Sequence, residues 1–257
     1  MKRIFAIITG ALVAGAALTS CDSVAEDDRF VPAEIVPQRA ILIEEYTGQN
    51  CVNCPKGHKA IQEITASLGD SVVPVGIHAS SLAIGGALGL KTDTGEEYYM
   101  GAGSPALPSA VINLQTTPLQ VEAWGSAINH LVIEPTPFTV AASAAIDGDN
   151  YNIDVAFSSG DDYTGKLMVW VCENDIVRKQ VDGTETIQDY VHNHVFRAAV
   201  TPDIWGEDVT LKAHEAQRLS FSYPISALWN RDNIYVVAFL YNDDGVAQVT
   251  ATKPLGR

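Results

Sequence analysis

From Arg39 onward the apolar and polar positions change rhythm three times within about forty residues. The run "AILIEEYTG" is strand-like, "CPKGHKAIQEITASLG" spaces its apolar residues as one face of a helix and stops at Gly69, and "SVVPVGIHA" is strand-like again. Strand, helix and strand at this spacing predict a βαβ unit, hence a parallel pair inside an α/β sheet. The next stretch, "SSLAIGGALGLKTDTGEEYYMGAGSPALPS", is glycine-rich and aperiodic, with at most a short helix near Glu96 to Met100. It reads as a long surface excursion near the site. "SAVINL" predicts a short strand, and "TPLQVEAWGSAINHLV" a helix with Leu119, Ala123, Trp124 and Ile128 on its apolar face.

After Pro135 and Pro137 the helical rhythm fades. Strand-length runs such as "YNIDVAFSSGDD", "GKLMVWVCEND", "QRLSFSYP" and "NIYVVAFLYNDDG" follow, divided by Gly, Asp and Asn turns, which is the pattern of an antiparallel β-sandwich. "IDGDNYNI" and "YNDDGVAQ" predict hairpin turns. The reading is therefore α/β over residues 39–134 followed by all-β over 135–257.

The N-terminus adds an address. "MKRIFAIITGALVAGAALTS" pairs a basic start, Lys2 and Arg3, with a short apolar run, the pattern of a secretory signal over residues 1–20. It is too short and glycine-rich for a membrane span. Leu18-Thr19-Ser20-Cys21 resembles the lipobox of bacterial lipoproteins, which makes Cys21 the expected lipid anchor; the alternative is an ordinary signal followed by an unrelated cysteine. Residues 21–38 are acidic and carry Pro32 and Pro37, so they read as a solvated tether.

Charge narrows the partners. The net charge is −15, and losing Lys2 and Arg3 with the signal makes it more negative, so nucleic acid is excluded as a partner by repulsion. Later apolar runs such as "IYVVAFL" are strand-sized, so membrane attachment rests on Cys21.

The candidate chemistry is the C-x-x-C of "YTGQNCVNCPKGHKAI". A cysteine pair opening a helix after a strand is where a thiol becomes reactive, because free N–H groups and the positive end of the helix dipole favour thiolate. Cys51 is then expected at the cap position as the exposed attacking sulfur, with Cys54 resolving. Pro55 suits a first helical turn, and Lys56, His58 and Lys59 add nearby positive charge. Two other readings stand beside this one. A metal site needs four ligands, which the chain does not offer in a recognised spacing; Cys172 reads as a small core residue, and His192 and His194 would share one face of a strand. A C-x-x-C in an exported protein can also simply stay oxidised. No metal site and no cofactor is expected.

The arrangement resembles the thioredoxin-like superfamily. The resemblance implies that Pro108, in "SPALPSAVI", is the cis-proline packed against the cysteines, with Pro105 as runner-up, and that Glu44 or Glu45 is a buried proton acceptor on the first strand. Alternation along that strand turns only one of the two inward. The chain departs from the thioredoxin fingerprint at Asn50, where tryptophan is usual, and at Val52-Asn53, where Gly-Pro is usual. The hairpin expected after the proline also has one strand short or missing. Together with the lipobox, "PSAVIN", "YVHNHVFRAAV" and "LWNRDNIYVVAFLYN", the chain is similar to lipoproteins related to outer membrane protein twenty-eight of Bacteroidetes. That resemblance implies a thioredoxin-like domain followed by an immunoglobulin-like sandwich, at the outer membrane, periplasmic or surface-exposed.

Two functions follow. One is envelope thiol-disulfide exchange through Cys51 and Cys54, with Pro108 shaping a groove for thiol-containing protein clients. The other is a non-catalytic surface binding or adhesion lipoprotein whose cysteine pair is structural. Exposure of Cys51 separates them.

Overall fold

The computed structural model describes residues 38–132 and 134–256. Cys21 and nearly all of the tether lie outside the described residues.

β1 (Ile41–Thr47) enters the protein interior and is buried along its whole length. α1 (Cys54–Leu68) follows, ends at Gly69 with φ 55°, and returns the chain to β2 (Val72–His78), which pairs parallel to β1 from Ile41–Val72 to Thr47–His78. The expected βαβ unit is present. The glycine-rich excursion carries α2 (Asp93–Gly101), capped by Thr92, whose hydroxyl accepts from the Gly95 N–H at 3.0 Å. β3 (Ser109–Ile112) then runs antiparallel to β1. The strand after it is reduced to one bridge, Ala110 with Leu119, before α3 (Val121–Leu131). Apolar faces of α1 and α3 close over Ile41, Ile43, Val72 and Ile112, with Trp124 and Ile128 fully buried between them.

The remainder is strand: β4 (Phe138–Asp147), β5 (Asn150–Ser159), β6 (Tyr163–Glu173), β7 (Ile176–Asp182), β8 (Glu185–His192), β9 (Val195–Ala199), β10 (Glu207–Leu211), β11 (Ala216–Pro224), β12 (Ile234–Asn242) and β13 (Gly245–Ala251). Both expected hairpin turns form, at Gly148 and before Gly245, each glycine at positive φ. β4, β5 and β11 make a three-stranded antiparallel sheet. Its inward residues Tyr151, Ile153, Val155 and Phe157 pack on Leu167, Val169 and Val171 of β6 and Val236, Ala238 and Leu240 of β12, as a sandwich should.

The two halves share one sheet. Its order is β13-β12-β6-β9-β2-β1-β3, with β10 also on β6, and β9 joins β2 through the register pair Gly76–Val195. This sheet curls until its edges touch: Val246 N–H donates to the Asn113 carbonyl at 2.9 Å, and Asn113 Nδ2 donates back to the Val246 carbonyl at 3.0 Å. Inside the curl lie Leu42 and Tyr46 of β1, Met168, Trp170 and Cys172 of β6, and Tyr235, Val237 and Phe239 of β12, with Tyr98 of α2 packed among them. Burial pushes the Cys172 thiol far up, so it stays a neutral core residue.

Trp124 is fully buried and its indole N–H donates to the Leu119 carbonyl at 2.9 Å. Trp124→Ala is expected to cost about 3–5 kcal/mol, measured as a fall in the urea midpoint with an unchanged slope.

Candidate functional site

Cys51 and Cys54 are joined in a disulfide, Cα atoms 5.4 Å apart. α1 begins at Cys54 with Asn53 as its N-cap, so Cys51 sits in the preceding turn and not at the cap. Its N–H donates to the Gly48 carbonyl at 3.0 Å. Cys51 is 3% exposed and Cys54 0%, whereas an exposed attacking sulfur was expected at position 51. The Val52 and Asn53 side chains between them project outward.

Two segments bond to the turn that carries Cys51. On one side the glycine-rich excursion returns, with Asn50 N–H donating to the Leu82 carbonyl at 2.8 Å and Leu90 N–H to Gln49 Oε1 at 3.0 Å. On the other lies the β7–β8 hairpin. Val181 N–H donates to the Gln49 carbonyl at 2.9 Å and Gly183 N–H to the Val52 carbonyl at 3.0 Å. Gln180, fully buried, donates through Nε2 to the carbonyls of Gly48 at 3.2 Å and Cys51 at 3.1 Å. The hairpin was not anticipated from the sequence, because its positions are mostly polar and half-exposed and carry little apolar alternation. Gly183-Thr184, a two-residue turn that opens on a glycine at φ 57°, is the signal that could have found it.

Alternation along β1 sends Glu44 and Glu45 to opposite faces of the sheet. Glu45 lies under α1. A Cβ on Gly57 would stand 2.5 Å from Glu45 Oε1, 3.0 Å from the Trp124 ring and 3.2 Å from Pro108 Cβ, so only glycine lets the first turn of α1 settle onto the carboxyl. That places Pro108, buried and following a cis Leu107–Pro108 bond, in the same cluster; Pro105 has a trans bond and is half-buried. Burial pushes the Glu45 carboxyl up to about 8.

His58 joins Glu45 to the hairpin. Its Nε2 is 3.0 Å from Thr47 Oγ1 and 3.8 Å from Glu45 Oε1, and its Nδ1 is 2.8 Å from the Tyr190 hydroxyl. Burial, then His192 beside it, lowers its pKa to about 3. His58 is therefore neutral and adds no positive charge to the cysteines, and its contact with a protonated Glu45 is not an ion pair at neutral pH. Lys56 and Lys59 point away, to Asn53 and Glu63.

A cavity of about 370 Å³ opens between α1 and the hairpin, lined by Glu45, His58, His78, Tyr190, His192 and His194 among others. The His192 ring lies 5.3 Å from that of His78 and 6.0 Å from that of His58. His192 and His194 do not share a strand face: β8 ends at His192, and His194 turns the chain with φ 58°, its Nδ1 3.2 Å from the Tyr235 hydroxyl. Among the described residues no group of three or more His, Cys, Asp or Glu side chains is placed to hold a metal ion.

Solved structures of known proteins resemble this chain. HBP35 of Porphyromonas gingivalis superposes with a TM-score of 0.69 at 13% identity, over 84% of this chain and 75% of its own. A protein from Agrobacterium tumefaciens superposes at 0.51 and 18% identity, over 86% of this chain and 97% of its own. A domain of the outer membrane lipoprotein Omp28 from P. gingivalis is 21% identical over 46% of this chain and 94% of its own, with a TM-score of 0.34. At these identities the first two likenesses are of fold alone. No curated protein matches the sequence significantly. Among the described residues no helix is long and apolar enough to cross a membrane, which leaves strand-based spans untouched. The family profile of outer membrane protein Omp28 matches residues 95–255, well over half of the 257. The location it names is the one expected from the sequence, and the chain belongs to the Omp28 outer membrane protein family.

Proposed function

We propose that this is a binding lipoprotein of the outer membrane, built on a thioredoxin-like scaffold with an immunoglobulin-like sandwich, in which the Cys51–Cys54 disulfide is a structural bridge. The observation that carries the reading is the burial of both cysteines, at a turn bonded to the β7–β8 hairpin and the glycine-rich excursion. A thiolate must reach its client's disulfide in line, and cysteines 3% and 0% exposed offer a client little approach. Supporting the scaffold are the order β1-α1-β2-β3-α3, the cysteine pair at the start of α1 and Pro108 beside that turn.

A second reading, thiol-disulfide exchange with thiol-containing clients, is favoured by one feature. Glu45 stands beneath the first turn of α1, protonated near neutrality, where it could exchange a proton with the Cys54 sulfur as the disulfide opens. In that reading the hairpin must lift before Cys51 can react, and Cys51, Cys54 and Pro108 form the exchange site.

The reduction potential decides between them. A structural bridge stays oxidised below about −300 mV in thiol buffers, and Gln180→Ala accelerates its reduction by dithiothreitol several-fold without conferring insulin reductase activity. A potential of about −120 to −270 mV, with turnover by the wild-type protein, would establish exchange instead.

Glu45 also predicts a pH dependence. It binds its proton more tightly in the folded state, near pH 8, than in the unfolded chain, near 4.5. Unfolding therefore releases a proton between those values, and stability falls as pH rises through the window. Urea midpoints at pH 5 and pH 8.5 are expected to differ less in Glu45→Gln than in the wild type; an undiminished difference would place Glu45's titration elsewhere.

A further inference from the structure

The opposite face of β1 holds a second carboxyl in a different setting. Glu44 lines a cavity of about 360 Å³ at the mouth of the curled sheet, and Tyr46, Tyr98, Trp170, Trp205 and Tyr241 line it with it. Mouths of curled and barrel-like sheets are habitual ligand sites. The cavity shares no residue with the one beside the disulfide.

The polar ends of these rings are already committed. Tyr98 donates to the Ile204 carbonyl and Tyr241 to the Trp205 carbonyl. The Trp170 indole N–H donates to the Tyr98 hydroxyl at 3.2 Å. The Tyr46 hydroxyl lies 3.3 Å from the Tyr98 carbonyl and 3.5 Å from Glu44 Oε2, a long contact for the one hydrogen bond the carboxyl receives. What the walls offer a ligand is therefore aromatic surface, most of it at Trp205, since Tyr98 and Trp170 are buried against neighbouring rings. Trp205 stands at the rim, 44% exposed, its ring 5.1 Å from that of Tyr98.

Charge sets the chemistry. Among the described lining residues Glu44 alone is ionisable to a full charge near neutrality, and no Lys or Arg faces it. Desolvation, only partly offset by Tyr46, pushes it up to about 8, so it is largely neutral near pH 7. An anion would meet a carboxyl and aromatic surface. A neutral apolar ligand would leave the carboxyl buried without a partner. A cation with an apolar body satisfies both features at once, through cation–π contact with the Trp205 ring and an ion pair with the carboxylate it stabilises.

We infer that this cavity binds a small organic ammonium ion, held by Glu44 at its base and by the exposed ring of Trp205 at its rim. The site stands on geometry independent of the disulfide, so it holds whichever redox reading is correct.

The test is isothermal titration calorimetry on the full mature chain at pH 8.5, with choline as the probe and 3,3-dimethylbutan-1-ol, its uncharged isostere, as the comparison. Choline is expected to bind saturably and at least about tenfold more tightly than the alcohol. Trp205→Ala and Glu44→Gln are each expected to weaken choline about five- to thirtyfold. Equal affinities for the two probes, or no saturable heat with choline up to about 100 mM, would overturn the inference. If Glu44→Gln fails to fold by circular dichroism, the half-exposed Trp205→Ala still decides, because unchanged choline affinity in that variant also overturns it.

Discussion

β1 is the constraint on which the rest depends: a strand buried on both faces that carries two adjacent carboxylic acids into the interior. Period-two alternation forces the pair apart, one beneath α1 and one into the curl of the sheet. Among the described residues neither finds a lysine or arginine, so both are held neutral by desolvation, not balanced by charge. An apolar residue of similar size would be cheaper to bury at either position. Two faces of one strand thus become two chemically distinct environments, one bordered by imidazoles and a disulfide, the other by indoles and phenols.

The first environment pulls in opposite directions. A helix start beside two sulfurs is the setting that favours thiolate, yet His58 is neutral, the lysines face solvent, the Cys51 N–H is spent on the Gly48 carbonyl, and the hairpin binds the carbonyls around it. Gln180 contributes most to this closure, since its amide spans the carbonyls of Gly48 and Cys51 from a strand more than a hundred residues away in sequence. Reactivity that the local sequence implies is withdrawn by a segment that the local sequence does not contain.

That is also where legibility in the sequence ended. The βαβ unit, the Gly69 stop, the apolar face of α3 and the hairpins at Gly148 and Gly245 follow from short-range periodicity and turn chemistry, and they are present. The cis bond at Pro108 was legible through resemblance. Burial of Cys51 was not, because it arises from β7 and β8, whose half-polar strands have no solvent-excluded face to advertise. The aromatic cavity was not either: Tyr46, Tyr98, Trp170, Trp205 and Tyr241 sit on separate elements, and only the meeting of the sheet's two edges at Asn113 and Val246 gathers them. Glu44 and Glu45 were both visible as candidates, and alternation allowed only one to face the helix; which one required the register.

The joint between β2 and β9 governs how the chain reaches this state. β2 has β1 on one side, but on the other its edge is closed only where Gly76 N–H donates to the His194 carbonyl at 2.7 Å. Until the chain beyond His194 has arrived, β2 presents an open edge flanked by apolar side chains, which is a template for pairing with the wrong partner. Contacts of such long sequence separation form slowly. An exported chain that emerges N-terminus first must therefore remain unfinished, and in need of protection, until its last third has crossed.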